Sequence, residues 1–153
     1  MLKIGDVAPN FETETSSGQP MSSEKLGGQR FVLYFYPKDN TPGCTIEACS
    51  IRDNYQYFLS QNIPVFGVSG GSSQSHQKFI EKYSLPFPLL MDEKLEIAKK
   101  FNAYKKGNRV ARITFLIDEN GIIEGIFGGD QGIEKVKTKE HAHQIIKFWK
   151  LEL

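Results

Sequence analysis

An unbroken run of β-branched and aromatic residues, Phe31-Val-Leu-Tyr-Phe-Tyr36, leaves this chain few ways to fold. Gly27-Gly28 precedes it and Pro37 closes it. A run with no alternating polar positions reads as a strand buried on both faces, so other elements must cover it from two sides. From about Cys44 to Gln61 the apolar positions Ile46, Cys49, Ile51, Tyr55, Phe58 and Leu59 recur at helical spacing, and Asn62 with Pro64 ends the pattern. Ile63 to Val68 is strand-like again, Ser69-Gly-Gly-Ser72 is a loop, and Ser73 to Tyr83 carries Phe79 and Ile80 on a second helix. That alternation is βαβα.

Downstream, Pro86 to Met91 reads as a short strand, and Asp92 is placed to cap a helix from Glu93 to Phe101. After a loop at Lys105-Lys-Gly-Asn108, Arg112 to Ile117 and Ile122 to Phe127 flank Asp118-Glu-Asn-Gly121, a hairpin signal because Asn-Gly tolerates positive φ. Thr138 is the expected cap of a last helix with Ile145, Ile146, Phe148, Trp149 and Leu151 on its apolar face. The sum is an α/β chain: a mixed central sheet with helices on both faces, ending in an antiparallel hairpin and a helix. That order matches a thioredoxin-like fold. At 153 residues, 39% of them hydrophobic, the chain is long enough to bury about two thirds of its unfolded surface, and no repeat or linker divides it. One domain over residues 1–153 is expected.

Charge and hydropathy remove whole classes of function. Nineteen basic against eighteen acidic side chains, with no basic cluster, offer nothing to track a phosphate backbone, so no nucleic-acid partner is expected. The longest apolar run is far short of the ~20 residues that a membrane-spanning helix requires. Asp6 and Pro9 interrupt the N-terminal segment before a signal-peptide core can build, and a cytoplasmic location is the expectation.

Two cysteines make no disulfide framework, so their interest is chemical. Cys44 closes the segment Tyr36-Pro-Lys-Asp-Asn-Thr-Pro-Gly-Cys44, which joins the carboxyl end of the central strand to a helix. Sites in open α/β sheets form there. Thr41 suits the N-cap and Pro42 the first helical position. Cys44 then falls in the first turn, where unpaired backbone N–H groups and the helix dipole favour a thiolate over a thiol. A nucleophile follows. Thr41 either only caps or also contacts a substrate oxygen.

Cys49 lies five residues on, on the same helix. At that spacing Cα atoms stand about 8.7 Å apart on an ideal helix. A disulfide needs about 7 Å or less. The pair closes only if the first turns of the helix unwind; otherwise Cys49 is an inert core residue.

Pro37-x-x-x-Thr41-x-x-Cys44 resembles the active-site motif of the peroxiredoxins. Thr41-Pro-Gly-Cys44 with Cys49 and Arg52-Asp53 is similar to the bacterioferritin comigratory protein subfamily, also called the Q type. Gly5-Asp-x-Ala8-Pro9-x-Phe11, Phe31-Val-Leu-Tyr-Phe-Tyr-Pro37 and Arg112-x-Thr-Phe-Leu-Ile-Asp118 extend the likeness over nearly the whole chain. The resemblance implies thiol-dependent reduction of hydrogen peroxide and organic hydroperoxides without metal, flavin or haem. In that scheme Cys44 becomes a sulfenic acid, Cys49 condenses with it to a disulfide, and a thioredoxin-type dithiol restores both. Arg112 is assigned to stabilise the Cys44 thiolate and the charge developing on the peroxide. Pro37, Pro42 and Gly43 are implied to shape the substrate-facing backbone. Glu47 resembles a family glutamate, while a helix-surface carboxylate is the plainer reading. The family also implies a monomer.

Departures from the pattern are Ser69-Gly-Gly-Ser72, in place of a more polar segment, and a short loop between Phe101 and Arg112. His76, His141 and His143 with the two cysteines make no zinc pattern, and His76 reads as a solvated helical residue. Two rival readings stand beside the peroxidase: a general thiol-disulfide oxidoreductase, disfavoured by the five-residue cysteine spacing, and a redox-sensing or chaperone-like binding protein switched by oxidation of Cys44 and Cys49.

Overall fold

The computed structural model describes residues 1–150. An N-terminal hairpin, β1 (Glu12–Glu14) with β2 (Pro20–Ser22), leads into β3 (Phe31–Phe35) and then α1 (Pro42–Ser60). β4 (Val65–Ser69), α2 (Ser73–Tyr83), β5 (Leu89–Met91) and α3 (Glu96–Lys100) follow. A two-residue pair, β6 (Tyr104–Lys105) with β7 (Arg109–Val110), frames the loop expected at 105–108. β8 (Ile113–Ile117), β9 (Ile123–Phe127) and α4 (His141–Phe148) complete the chain. The five-stranded sheet runs β5-β4-β3-β8-β9, with β3 parallel to β4 and antiparallel to β8. The mixed thioredoxin-like sheet read from the sequence is therefore present, with the Phe31 run at its centre.

Both faces of β3 are covered, as its composition requires. Leu33 and Phe35 enter one core with Phe66, Ala98, Phe101 and Phe115, under α3 and the N-terminal segment. Val32, Tyr34 and Tyr36 enter the other with Ile51, Phe58, Phe79 and Ile145, under α1, α2 and α4. Burial of each such apolar side chain is worth about 1.5–3 kcal/mol.

Local chemistry shifted several expected boundaries. The helix expected from Glu93 begins only at Glu96, because Leu95 adopts φ 58 and ends a preceding turn. Asp92 still caps it, accepting from the N–H groups of Ile97 and Ala98 at 2.9 Å each. Thr138 makes no cap bond: a short 3₁₀ turn, Thr138–Glu140, intervenes before α4. In the β8–β9 turn only Gly121 takes positive φ, while Asp118 accepts from the N–H groups of Asn120 and Ile122. Ile46 and Leu59, expected on the buried face of α1, are exposed; the buried stripe is Cys44, Glu47, Ala48, Ile51, Tyr55 and Phe58. Leu151 lies outside the described residues. No described helix is long and apolar enough to cross a membrane.

Candidate active site

β3 ends against Pro37, and the loop to α1 turns at Asn40, whose φ of 58 a short polar side chain tolerates. Thr41 occupies the N-cap position of α1 and Pro42 its first turn, as the sequence indicated. Thr41 does not cap with its side chain, however. Its hydroxyl donates to the Lys38 carbonyl at 2.9 Å. With no side-chain oxygen on them, the N–H groups of Gly43 and Cys44 point out of the positive end of a 19-residue helix. Cys44 itself is only 1% exposed.

Arg112, immediately before β8, reaches this helix start from the neighbouring strand. Its Nη2 donates to Cys44 Sγ at 3.4 Å and its Nη1 to Glu47 Oε1 at 2.7 Å. The fork therefore ties the thiol to a carboxylate one helical turn away. Burial works against the arginine's charge, and Glu47 and Cys44 outweigh it, so the group sits above its ordinary value. Gly43 makes this approach possible: a Cβ there would stand 3.0 Å from Arg112 Nη2.

Glu47 is fully buried, which overturns the surface-carboxylate reading. Burial pushes its carboxyl up to about 7, against the pull of Arg112. Its Oε2 has no hydrogen-bond partner and faces His141 Nε2 at 3.7 Å. His141 is buried on α4; desolvation first, with Arg112 adding to it, holds the ring down to about 4, so it is neutral near pH 7.

Sequence reasoning missed a second buried group. Asp39 Oδ2 binds His76 Nδ1 at 2.6 Å and accepts from Ser75 Oγ at 2.7 Å, while its Oδ1 accepts from Tyr36 OH at 2.6 Å. Burial raises the Asp39 carboxyl, but the bonds from His76, Ser75 and Tyr36 outweigh it and hold it below its ordinary value. His76 is therefore not solvated; it is fully buried. The cluster fastens the loop before Cys44 to α2. A helical-stripe signal existed for both histidines: His76 leads Phe79 and Tyr83, and His141 leads Ile145 and Phe148, at i+3, i+4 or i+7 spacing.

The expected residues are not all gathered. Cys44, Arg112, Glu47, Gly43 and Thr41 meet at the helix start. Pro42 is exposed beside them, and Pro37 is exposed at the strand end. Cys49 is half-buried further along an unbroken α1, and both cysteines are free thiols. Among the described residues no three His, Cys, Asp or Glu side chains are grouped to hold a metal ion.

Comparison with known proteins shows the family of the chain. The AhpC/TSA family model matches residues 4–126. A putative peroxiredoxin bcp of Coxiella burnetii is 37% identical over 152 residues, spanning 95% of this chain and 97% of the relative. Among solved structures, a cysteine-to-serine mutant of Xylella fastidiosa PrxQ superposes with a TM-score of 0.87 at 30% identity, over 98% of this chain and 96% of the other. The Xanthomonas campestris bacterioferritin comigratory protein, solved as trapped intermediate and ligand complexes bearing on its alkyl peroxide reduction activity, gives 0.82 at 27% identity, with coverages of 98% and 96%. A buried cysteine at a helix start, forked by an arginine from the adjacent strand, is thus set in a chain that belongs to the AhpC/TSA family, among the peroxiredoxins of the Bcp and Q kind, which are thiol-dependent peroxidases.

Proposed function

We propose that this chain, acting as one unit, reduces hydrogen peroxide and organic hydroperoxides through Cys44, with Cys49 as its resolving partner. The observation that carries the reading is the Arg112 fork, with Nη2 3.4 Å from Cys44 Sγ, at the positive end of α1. A guanidinium and free N–H groups stabilise the thiolate and the negative charge that spreads over the peroxide oxygens during attack. The sulfur attacks one peroxide oxygen and the O–O bond breaks. Cys44 gains the hydroxyl as a sulfenic acid, and the remaining alkoxide leaves and is protonated to the alcohol. Cys49 thiolate then attacks the sulfenic sulfur, a disulfide forms, and hydroxide departs as water. A dithiol of thioredoxin type returns both thiols by supplying two electrons and two protons.

Thr41 and Gly43 line the approach to the sulfur, Pro42 and Pro37 hold the backbone around it, and Glu47 steadies Arg112. The chain is proposed to act as a monomer in the cytoplasm. Resolution requires α1 to unwind at its start, since the two cysteines lie on one unbroken helix. Stopped-flow peroxide decay coupled to a thioredoxin system tests the reading. Cys44→Ser is expected to abolish consumption, and Cys49→Ser to preserve the first oxidation while blocking recycling. Unchanged turnover in Cys44→Ser refutes it.

A further inference from the structure

The site holds two groups that become anions, Cys44 and Glu47, and one guanidinium between them. Arg112 Nη2 faces Cys44 Sγ at 3.4 Å and Nη1 faces Glu47 Oε1 at 2.7 Å. Cys44 and Glu47 are both essentially without solvent exposure. A buried site tolerates one satisfied ion pair far better than a net charge. Two anions on one arginine leave it at net −1, whereas one anion and one protonated partner leave it neutral.

The structure provides a place for that proton. Gln144 is fixed by its own bonds: its Nε2 donates to Glu134 Oε1 and to the Lys135 carbonyl, and its Oε1 accepts from the Lys137 N–H. His141 Nδ1, 2.8 Å from that same oxygen, must therefore be the protonated ring nitrogen. Nε2 is left as an acceptor, bonded at 2.8 Å by the Thr114 hydroxyl. Glu47 Oε2 stands 3.7 Å from Nε2 with no donor of its own, the one lone pair of that nitrogen being taken by Thr114. An ionised oxygen is left unsatisfied there, so a neutral carboxyl is favoured. The titratable groups around Glu47 are Arg112 before β8, His141 on α4, Cys44 on α1 and Tyr34 on β3. The tyrosine is held neutral by burial first and by Glu47 and Cys44 next.

We propose that Glu47 and His141 form a proton reserve for the peroxidase reaction: Glu47 is protonated while Cys44 is a thiolate, which leaves the charge of Arg112 to the sulfur. The proposal rests on the peroxidase reading above. The upward push on Glu47 and the downward push on His141 agree with it, since both keep the pair from charging near neutral pH. Atoms and charge balance through the oxidation. Before attack the site holds guanidinium, thiolate and neutral Glu47. When the O–O bond breaks, the sulfur becomes an uncharged sulfenic acid and the alkoxide departs. Arg112 then pairs with Glu47 alone, the Glu47 proton is released, and the alkoxide takes up one proton to become the alcohol. One ion pair is present throughout. Glu47 touches neither substrate nor sulfur, so it is a positioning residue acting through Arg112, and His141 acts through Glu47.

The test follows the protonated-carboxyl infrared band of Glu47, assigned by its loss in Glu47→Gln, against pH in the reduced chain and in Cys44→Ser. In the reduced chain the band is expected to persist to about pH 7. Without a thiolate to share Arg112, its midpoint in Cys44→Ser is expected about one pH unit or more lower, the size of coupling that makes two sites titrate as a pair. An equal midpoint in both proteins, or no band at pH 6, overturns the proposal. As a second arm, Glu47→Gln reproduces the neutral state. Iodoacetamide is expected to alkylate its Cys44 at the parent's rate at pH 6, where Glu47 of the parent is already protonated, and about threefold faster or more at pH 8, where that carboxyl has ionised and competes for Arg112. An unchanged or slower rate at pH 8 counts against the reserve. Neither readout uses peroxide, so a chain that shows the coupling yet consumes no peroxide refutes the proposed function and leaves only the charge coupling of Glu47 to Cys44 standing.

Discussion

Replacing Gly43 by alanine sets helix propensity against the Arg112 contact. Gly43 stands in the first turn of α1 with ordinary helical backbone, where alanine is favoured over glycine by about 0.5–1 kcal/mol. On propensity alone Gly43→Ala stabilises the protein. The new Cβ, however, would stand 3.0 Å from Arg112 Nη2 and 3.7 Å from its Cζ. Ordinary contacts begin near 3.5 Å, so the guanidinium must retreat by about half an ångström. Its other arm is held by Glu47 at 2.7 Å, so the arm that gives way is the one on Cys44 Sγ. A hydrogen bond to a charged group contributes about 1.5–3 kcal/mol, and loss of about 1.4 kcal/mol of transition-state stabilisation slows a step roughly tenfold. Stopped-flow oxidation of Cys44 under pseudo-first-order peroxide, beside urea unfolding of the reduced protein, reads both quantities. The expected outcome is a rate lower by about tenfold, with unfolding free energy lower by about 0.5–2.5 kcal/mol, the lost bond less the helical gain. A rate within twofold of the parent would mean that the Arg112 contact does not govern attack.

Two further outcomes follow from the same geometry. Oxidation to the Cys44–Cys49 disulfide should lower helical circular dichroism and speed amide exchange from Cys44 to Asp53, because the bond cannot form on an intact α1; identical exchange in both redox states would contradict this. His76→Ala should cost about 3 kcal/mol in urea unfolding near pH 7, since it strips a partner from buried Asp39, and a loss under about 1 kcal/mol would show that Tyr36 and Ser75 suffice. Because Asp39 is held below its ordinary value in the folded state, its own contribution is present above about pH 4, and disappears as pH falls through the lower folded value.

Much of the molecule could be read from residues in order. The Phe31 run demanded a central strand covered on two sides, and Thr41-Pro-Gly-Cys44 placed a thiol in the first turn of the helix that follows. Both are local facts: backbone conformation and burial pattern repeat with a short period, and a helix start has unpaired N–H groups wherever it occurs. Boundaries were less secure where a single residue departed from its pattern, as Leu95 does at φ 58. Glu47 and His76 were misjudged, and the burial of His141 went unread, for a common reason. A polar residue on an apolar helical stripe is exposed or buried according to whether a partner meets it, and the partners stand 65, 37 and 27 positions away in Arg112, Asp39 and Thr114.

Sequence by itself determined the strand order's raw material, the nucleophile and its helix start, because these depend on neighbours within one or two turns. Only the tertiary structure decided which charges share a dry space. Arg112 becomes the single cation between a thiol and a carboxyl, and His141 the mute acceptor behind them, because sheet and helix packing carry β8 and α4 to the start of α1. Electrostatic pairing at 3–4 Å depends on distance through space, and distance along the chain does not encode it.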